Sequence, residues 1–172
     1  MADRASVDEP ANKPPDLQVP SLIRVRYAET DQMGYVYHGN FFMYFEVARG
    51  DMARATGVAY TAYEAHGAAM PLLECGVVFR RPARYDDLLA VCAKIARLTP
   101  VRTRIEYAVY RLAERTATFL ASGFTEHVFT DHTGRPTRVN RIVPVWESLQ
   151  QLAAVPVFPD LIALDLADMI QE

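Results

Sequence analysis

The stretch that decides the fold is Tyr27–Phe41, with the sequence YAETDQMGYVYHGNF. An acidic cluster containing Asp31 follows an alternating apolar run, and a turn around Gly34 separates it from Asn40, which can cap a following helix. This order places a carboxylate close in sequence to a helix N-terminus. A carboxylate can attack a carbonyl or activate water, and a helix N-terminus can stabilise the resulting oxyanion. Asp31 is therefore the first candidate for a catalytic residue.

The residues on either side of this stretch follow two different periods. Before it, alternation predicts a strand over Ser21–Ala28, with Ile23, Val25 and Tyr27 facing the core. After it, the period becomes helical over Asn40–Thr56, and Gly57 is well placed to end the helix. One apolar stripe runs along this helix and consists of Phe41, Phe45, Ala48, Met52 and Ala55.

The remaining elements are predominantly strands. A short helix is predicted over Tyr60–His66, and a closing helix over Pro144–Ala153. Between them the pattern predicts four strands in meander order, Met70–Arg81, Leu88–Leu98, Val101–Arg111 and Thr116–Phe129. One strand, one long helix and four further strands give an α+β class, with helices on one face of an antiparallel sheet.

Two segments resemble the hotdog-fold acyl-CoA thioesterases, especially the 4-hydroxybenzoyl-CoA thioesterase-like and Tol-Pal-associated branch. The first contains Thr30-Asp31, Gly34, the Val36–His38 segment and the helix from Asn40, and the second is Phe79–Leu88. The resemblance covers Ile23 to Glu147. It implies a hotdog fold, in which an antiparallel sheet wraps around one long helix. It also implies a homodimer or homotetramer with each active site at a subunit interface.

The resemblance assigns roles to residues of the first segment. It implies that Asp31 is a nucleophile or a general base, and the sequence leaves these two roles open. It places His38 where a backbone N–H faces the thioester oxygen, and Gly39 could bring a bare N–H close to the ligand. Tyr37 could supply a hydroxyl to the substrate. The structural alternatives are an aspartate that only caps a turn and a tyrosine that belongs to the core.

Coenzyme A carries phosphate groups, with which arginine pairs well. By resemblance, the positions to consider are Arg102, Arg104, Arg135 and Arg138. The alternative is that these arginines belong to solvated strand faces. Glu46 is expected to be a structural hydrogen-bonding group on the long helix. No cofactor is implied beyond the coenzyme A that forms part of the substrate and product.

Composition limits the possible classes. A chain of 172 residues is most simply one domain, and a net charge of −3 argues against general nucleic-acid binding. The predicted organisation is a flexible segment at 1–20, a thioesterase domain at 21–153 and a C-terminal extension at 154–172. No signal peptide or membrane span is apparent, which favours a cytoplasmic protein. No histidine or cysteine spacing indicates a metal site, and Cys75 and Cys92 are expected to be buried thiols.

The predicted function is hydrolysis of a short-chain or aromatic acyl-CoA to the free acid and coenzyme A. One alternative is a hotdog enoyl-CoA hydratase or dehydratase, in which His38 and Asp31 would handle the α-proton. Another alternative is a non-catalytic protein that binds acyl-CoA. The absence of a Gly-x-Ser-x-Gly sequence argues against a thioesterase of the α/β-hydrolase type.

Overall fold

The computed structural model describes residues 20–113, 116–155 and 158. The predicted flexible N-terminal segment and nearly all of the C-terminal extension therefore lie outside the described residues. Two 3₁₀ turns occupy Tyr27–Glu29 and Val139–Arg141. The helices and strands are, in chain order, β1 Ser21–Arg24, α1 Asn40–Ala55, α2 Tyr60–Ala65, β2 Leu72–Phe79, β3 Leu88–Leu98, β4 Arg102–Ala113, β5 Thr116–Val128 and α3 Val143–Ala153.

The five strands form one antiparallel sheet in the order β1-β3-β4-β5-β2. The predicted meander is correct for β3, β4 and β5, but wrong for β2, which pairs with β5 rather than with β3. The reason is that β1 occupies the free edge of β3, so β2 is left with the edge of β5. Alternation within a strand sets its faces but not its neighbours, which is why the sequence pattern missed this pairing.

The long helix α1 lies on one face of the sheet, which confirms the predicted α+β hotdog fold. Phe41, Phe45, Ala48 and Met52 are buried as the stripe predicts, whereas Ala55 is only half-buried. The Phe45 ring stacks on Tyr107 of β4, with ring centroids 4.3 Å apart and planes 8° apart. We call the face of the sheet beneath α1 the helix face.

Two details differ from the predictions at the ends of the sheet. The first strand stops at Arg24 because the chain turns into the 3₁₀ turn, and this turn leaves Tyr27 78% exposed. Val25 is fully buried, as expected. Cys75 is exposed rather than buried because it lies on β2 at the edge of the sheet, whereas Cys92 is buried in β3. Burial raises the pKa of the Cys92 thiol to about 12.

No helix in the described part of the chain is both long and apolar enough to cross a bilayer.

Gly123 of β5 lies where the Phe45 ring meets the sheet. A Cβ at this position would lie 2.4 Å from the Phe45 ring and 2.8 Å from the Gly76 carbonyl oxygen. We therefore expect Gly123→Ala to lower the free energy of unfolding by about 1–3 kcal/mol, as overpacking does. The same substitution should cost less in a Phe45→Leu background, because the ring that it meets has been removed. Urea unfolding of the four proteins measures this coupling, and strictly additive costs would contradict it.

Candidate active site

Two loops and the start of α1 enclose a cleft of about 360 Å³ at the end of β2. One loop leads from the first 3₁₀ turn to α1, and the other leaves β2 after Phe79. The Phe79 ring meets the Phe41 ring edge to face, with centroids 4.9 Å apart, and so joins the two sides. We call this the Asp31 cleft. Its lining residues are Asp31, Met33, Tyr35, Val36, His38, Phe41, Phe79, Arg80, Arg81, Pro82 and Ala83.

Asp31 lies in a tight turn that Gly34 closes. The Gly34 N–H donates to the Asp31 carbonyl oxygen at 2.9 Å, and Gly34 has a φ of 73°, which favours glycine. The Met33 N–H donates to Oδ1 of the Asp31 carboxylate at 2.8 Å. The carboxylate is therefore fixed by its own turn while it lines the cleft, so the structural and functional roles predicted for Asp31 are compatible.

The same turn occurs a second time, after β5. Asp131 accepts hydrogen bonds from the Gly134 N–H at 3.0 Å and, on its carboxylate, from the Thr133 N–H at 2.8 Å. Both turns have the sequence Thr-Asp-x-x-Gly. Hydrogen bonds from Thr133 and Arg135 lower the pKa of Asp131. Asp131 is not among the residues that line the Asp31 cleft. Its turn therefore has the same hydrogen-bonded geometry as the Asp31 turn but lies outside the cleft.

A buried carboxylate, Glu29, ties this loop to α1. It accepts hydrogen bonds from the Arg26 backbone N–H at 2.7 Å and from the Tyr44 hydroxyl at 2.9 Å. Its carbonyl oxygen accepts from the Tyr37 N–H and from the Asn40 side chain. Burial acts to raise the pKa of Glu29, but the hydrogen bonds from Arg26 and Tyr44 outweigh it and lower the pKa. Glu29 therefore holds the loop in place as an anion.

The N-terminus of α1 points backbone donors towards this region. Gly39 is the N-cap, and no described residue accepts a hydrogen bond from the N–H of His38 or Gly39. Asn40 does not cap the helix as predicted, since it is the first helical residue and its side chain reaches back to Glu29. His38 is exposed and lines the cleft. Tyr37 packs its ring on His38, with centroids 4.2 Å apart, and does not line the cleft.

The cleft also contains two arginines that sequence analysis did not single out, Arg80 and Arg81. Both backbone N–H groups donate to the Leu120 carbonyl oxygen, at 2.8 and 3.0 Å, which fixes the loop after β2. The Arg81 guanidinium donates to the Phe119 carbonyl oxygen, and Arg80 is exposed. Both arginines lie in Phe79–Leu88, the second segment that resembles the thioesterase family. That resemblance could have identified them from the sequence.

The four predicted arginines lie at the other end of the sheet. Phe79 pairs with Ala121 of β5, whereas Arg102 and Arg104 pair with Val128 and Glu126. Five residues of β5 separate the level of Phe79 from that of Arg104, and seven separate it from that of Arg102, which correspond to roughly 17 and 24 Å. Arg104 lies 3.5 Å from Glu126 and stacks on Phe124, while Arg135 and Arg138 are exposed after β5. Within one chain, Asp31 and His38 meet at the cleft, but these arginines do not.

Among the described residues, no group of three or more histidine, cysteine, aspartate or glutamate side chains could hold a metal ion.

Comparisons with known proteins identify the family to which the chain belongs. The family model of the thioesterase-like superfamily matches residues 25–163. A Bacillus subtilis protein named "Putative acyl-CoA thioesterase YneP" is 29% identical over 132 residues, which are 76% of this chain and 94% of that protein. The chain therefore belongs to the thioesterase-like superfamily, and it is a thioester hydrolase as the sequence predicted.

Solved structures support the same family. A hypothetical protein from Thermus thermophilus, TT1821, has a TM-score of 0.71 at 35% identity, covering 78% of this chain and 98% of that one. A DHNA-CoA thioesterase from Staphylococcus aureus has a TM-score of 0.72 at 29% identity, covering 80% and 91%.

The buried Glu29 generates a prediction about acid stability. Because the pKa of Glu29 is lowered on folding, its contribution to stability is present above the ordinary pKa of 4.5 and is lost as pH falls through the folded pKa. We expect Glu29→Gln to lower the free energy of unfolding at pH 7, and this deficit should shrink as the pH falls below 4.5. Urea unfolding at pH 7 and at several acid pH values measures the difference. The exposed Glu147→Gln is the control, and an equal deficit for Glu29→Gln at every pH would contradict the role of the anion.

Proposed function

We propose that this protein hydrolyses an acyl-CoA in the Asp31 cleft to a free acid and coenzyme A. The observation that carries the proposal is the position of the Asp31 carboxylate. It is fixed by the Met33 N–H in a cleft at the N-terminus of α1, where the N–H groups of His38 and Gly39 have no acceptor among the described residues. A carboxylate and two unoccupied N–H donors at a helix N-terminus are the groups that thioester hydrolysis requires.

Two routes follow from this arrangement. In the first, the Asp31 carboxylate attacks the thioester carbonyl carbon, the thiolate of coenzyme A leaves, and water hydrolyses the resulting anhydride. In the second, Asp31 takes a proton from a water molecule as that water attacks the same carbon. Both routes pass through an oxyanion, which the N–H groups of His38 and Gly39 would hold.

The names of the relatives support the acyl-CoA class. The Bacillus protein is named for acyl-CoA, and the Staphylococcus structure for DHNA-CoA. We extend this class to the present chain, with an acyl group that is short or aromatic. The apolar side chains of the cleft, including Phe41, Phe79 and Val36, suit such a group. Arg80 and Arg81 supply positive charge beside them for the phosphates of coenzyme A.

The hydrogen bonding of Asp31 fits hydrolysis better than it fits the alternatives. A hydratase or dehydratase needs a histidine paired with an acid, but the Asp31 carboxylate accepts from the Met33 N–H, and no hydrogen bond joins it to His38 in the described structure. Thiol release from a panel of acyl-CoAs distinguishes a hydrolase from a protein that only binds acyl-CoA. Loss of the conjugated absorbance of an enoyl-CoA tests the hydratase.

We further propose that the protein is a homodimer formed through β2 and α1. Among the described residues, β2 pairs only with β5, so its other edge presents unpaired backbone groups. Its side chains include Leu72, Leu73, Val78 and Phe79, which are 44–52% exposed. Met43 and Val47, one helical turn apart on α1, are 57% and 44% exposed. An identical strand and helix would cover both surfaces.

The symmetry of such a dimer brings opposite ends of two chains together. Antiparallel pairing of β2 with its copy about a central two-fold axis places Phe79 of one chain beside the start of β2 in the other. An axis perpendicular to the sheet also leaves both α1 helices on the same side. Each Asp31 cleft then adjoins the far end of the partner. Through this contact the predicted arginines, Arg102, Arg104, Arg135 and Arg138, would approach the coenzyme A bound to the neighbouring chain.

The duplicated turn supplies a matched control for the catalytic residue. We expect Asp31→Asn to lower kcat by about 10²–10⁴, because the variant keeps the turn but loses the charged base or nucleophile. Asp131→Asn changes the same turn outside the cleft and should leave kcat within about twofold. Steady-state thiol release measures both variants, and circular dichroism checks that each is folded. Near-normal turnover by Asp31→Asn would refute the assignment, as would an equal loss in both variants.

The proposed interface is tested by adding charge to α1. We expect the double variant Met43→Glu and Val47→Glu to shift the protein from dimer to monomer, because four like charges would face each other across the two-fold axis. Val143→Glu adds charge at a comparably exposed apolar residue outside the interface, so it should leave the dimer intact. Light scattering at assay concentration gives the mass. A wild-type monomer, or a double variant that stays dimeric, would contradict the interface.

A further inference from the structure

A second cavity lies between α1 and the helix face, near the start of β2. Its volume is about 320 Å³, at the lower end of the range for small-molecule sites. Side chains of α1, including Phe42, Glu46 and Arg49, form one wall, and Leu72 and Cys75 of β2 form another. Tyr107, Thr125 and His127 line the sheet side. We call this the α1 cavity, and none of its lining residues belongs to the Asp31 cleft.

His127 has a hydrogen-bonding requirement that its own chain does not meet. The side chain is 3% exposed, and its Nδ1 lies 3.0 Å from the Met70 carbonyl oxygen. Because a carbonyl oxygen can only accept, Nδ1 carries the proton and Nε2 has a lone pair. Burial lowers the pKa of the ring, which keeps it neutral. Nε2 is buried and has no hydrogen-bond partner in the described part of the chain.

A buried acceptor without a partner is costly and uncommon, so this atom calls for a donor from outside the chain. A carboxylate has no proton to give at neutral pH. An ammonium group is also a poor donor here. It would lie among the apolar side chains of Phe42, Met70 and Leu72, and it would share the cavity with the positively charged Arg49 guanidinium. A hydroxyl is a neutral donor that tolerates an apolar wall. The hydroxyls of Tyr107 and Thr125 already bond to each other at 2.9 Å, and the hydroxyl of Thr103, which pairs with His127, donates to the Arg97 carbonyl oxygen at 3.1 Å.

The place of the α1 cavity identifies what could supply that hydroxyl. Leu72 and Cys75 put the cavity at the start of β2, whereas Phe79 puts the Asp31 cleft at its end. Phe79 packs against Phe41 of α1, so both sites open on the helix face. The two-fold axis of the proposed dimer brings the start of one β2 beside the end of the other. The α1 cavity of one chain then continues the Asp31 cleft of its neighbour.

We propose that the α1 cavity receives the distal part of the acyl group bound in the neighbouring chain's Asp31 cleft, and that His127 selects acyl groups bearing a hydroxyl. This inference rests on the proposed function and on its dimer. His127 is then a specificity-determining residue that acts across the interface, with Nε2 accepting the hydrogen bond from the substrate hydroxyl.

Matched pairs of substrates test the selection. Benzoyl-CoA is compared with its 3-hydroxy and 4-hydroxy derivatives, and hexanoyl-CoA with 6-hydroxyhexanoyl-CoA. For at least one pair, we expect wild-type kcat/KM to favour the hydroxylated member by at least about tenfold, because the plain member leaves Nε2 unpaired. In His127→Phe the ratio should fall to about one, whereas the exposed His66→Phe should keep the wild-type ratio. A wild-type ratio near one for every pair would overturn the inference without any variant, and so would selectivity that survives in His127→Phe.

A mixed dimer tests whether His127 acts across the interface. Asp31→Asn and His127→Phe chains are co-expressed with different tags, and the heterodimer is purified through both tags. One of its clefts then combines an intact Asp31 with the other chain's intact His127, so the hydroxyl preference should return. If it does not return, His127 acts within its own chain or not at all, and the inference fails.

A binding measurement separates this inference from the proposed function. Calorimetric titration with the S-alkyl ethers of coenzyme A that match each pair reports the hydroxyl preference without turnover. Tighter binding of the hydroxylated ethers, lost in His127→Phe, together with no hydrolysis of any thioester, would refute the hydrolase but support the cavity. Hydrolysis without any preference in either assay would refute the cavity alone.

Discussion

The seating of α1 on the sheet is the constraint on which the functional end of this molecule depends. The Phe45 ring stacks on Tyr107 and occupies the space that a side chain at Gly123 would need. The Phe45 ring and the absence of a side chain at Gly123 therefore determine how closely, and in which direction, α1 packs on the sheet. With the helix fixed, its N-terminus comes to the edge of the Asp31 cleft and its middle turns form a wall of the α1 cavity. A displacement of α1 would change both sites at once.

Glu29 links this placement of α1 to the loop that carries Asp31. Its carboxylate reaches Tyr44 on α1, and its backbone carbonyl holds the chain at Tyr37. The loop that carries Asp31 is consequently tied to the helix on both sides of its turn. The Glu29 carboxylate accepts four hydrogen bonds, three from Arg26 and one from Tyr44, and losing one of these donors would leave part of a buried charge uncompensated. Rigid support of this kind keeps a carboxylate and two N–H groups in a fixed relation.

The sequence predicted the helix and two of the strand pairings, β3 with β4 and β4 with β5, because these depend on local periodicity and short connections. Phe41, Phe45 and Met52 recur at helical spacing, and their burial follows from it. Asp31 could be predicted as a candidate because a distinctive turn precedes the helix, and the structure places this turn at a cleft. The position of β2 in the sheet could not be predicted, because no local sequence pattern indicates which strand edge remains free. The distance between Asp31 and Arg138 was likewise hidden, because it depends on which end of the sheet each loop leaves. The unsatisfied Nε2 of His127 depends on three-dimensional packing, and no spacing of residues signals it.

The open edge of β2 also affects how the chain is made in a cell. A row of unpaired N–H and C=O groups flanked by Leu73 and Val78 is a template for any extended polypeptide, and not only for a copy of itself. If the protein is the proposed dimer, a newly synthesised chain therefore faces a kinetic competition between pairing with an identical chain and pairing with an unrelated unfolded polypeptide. Association of two identical chains is a second-order reaction, so the edge of β2 stays unpaired for longest when the chain is dilute. Synthesis of neighbouring chains on one messenger would shorten that exposure and favour the correct pairing.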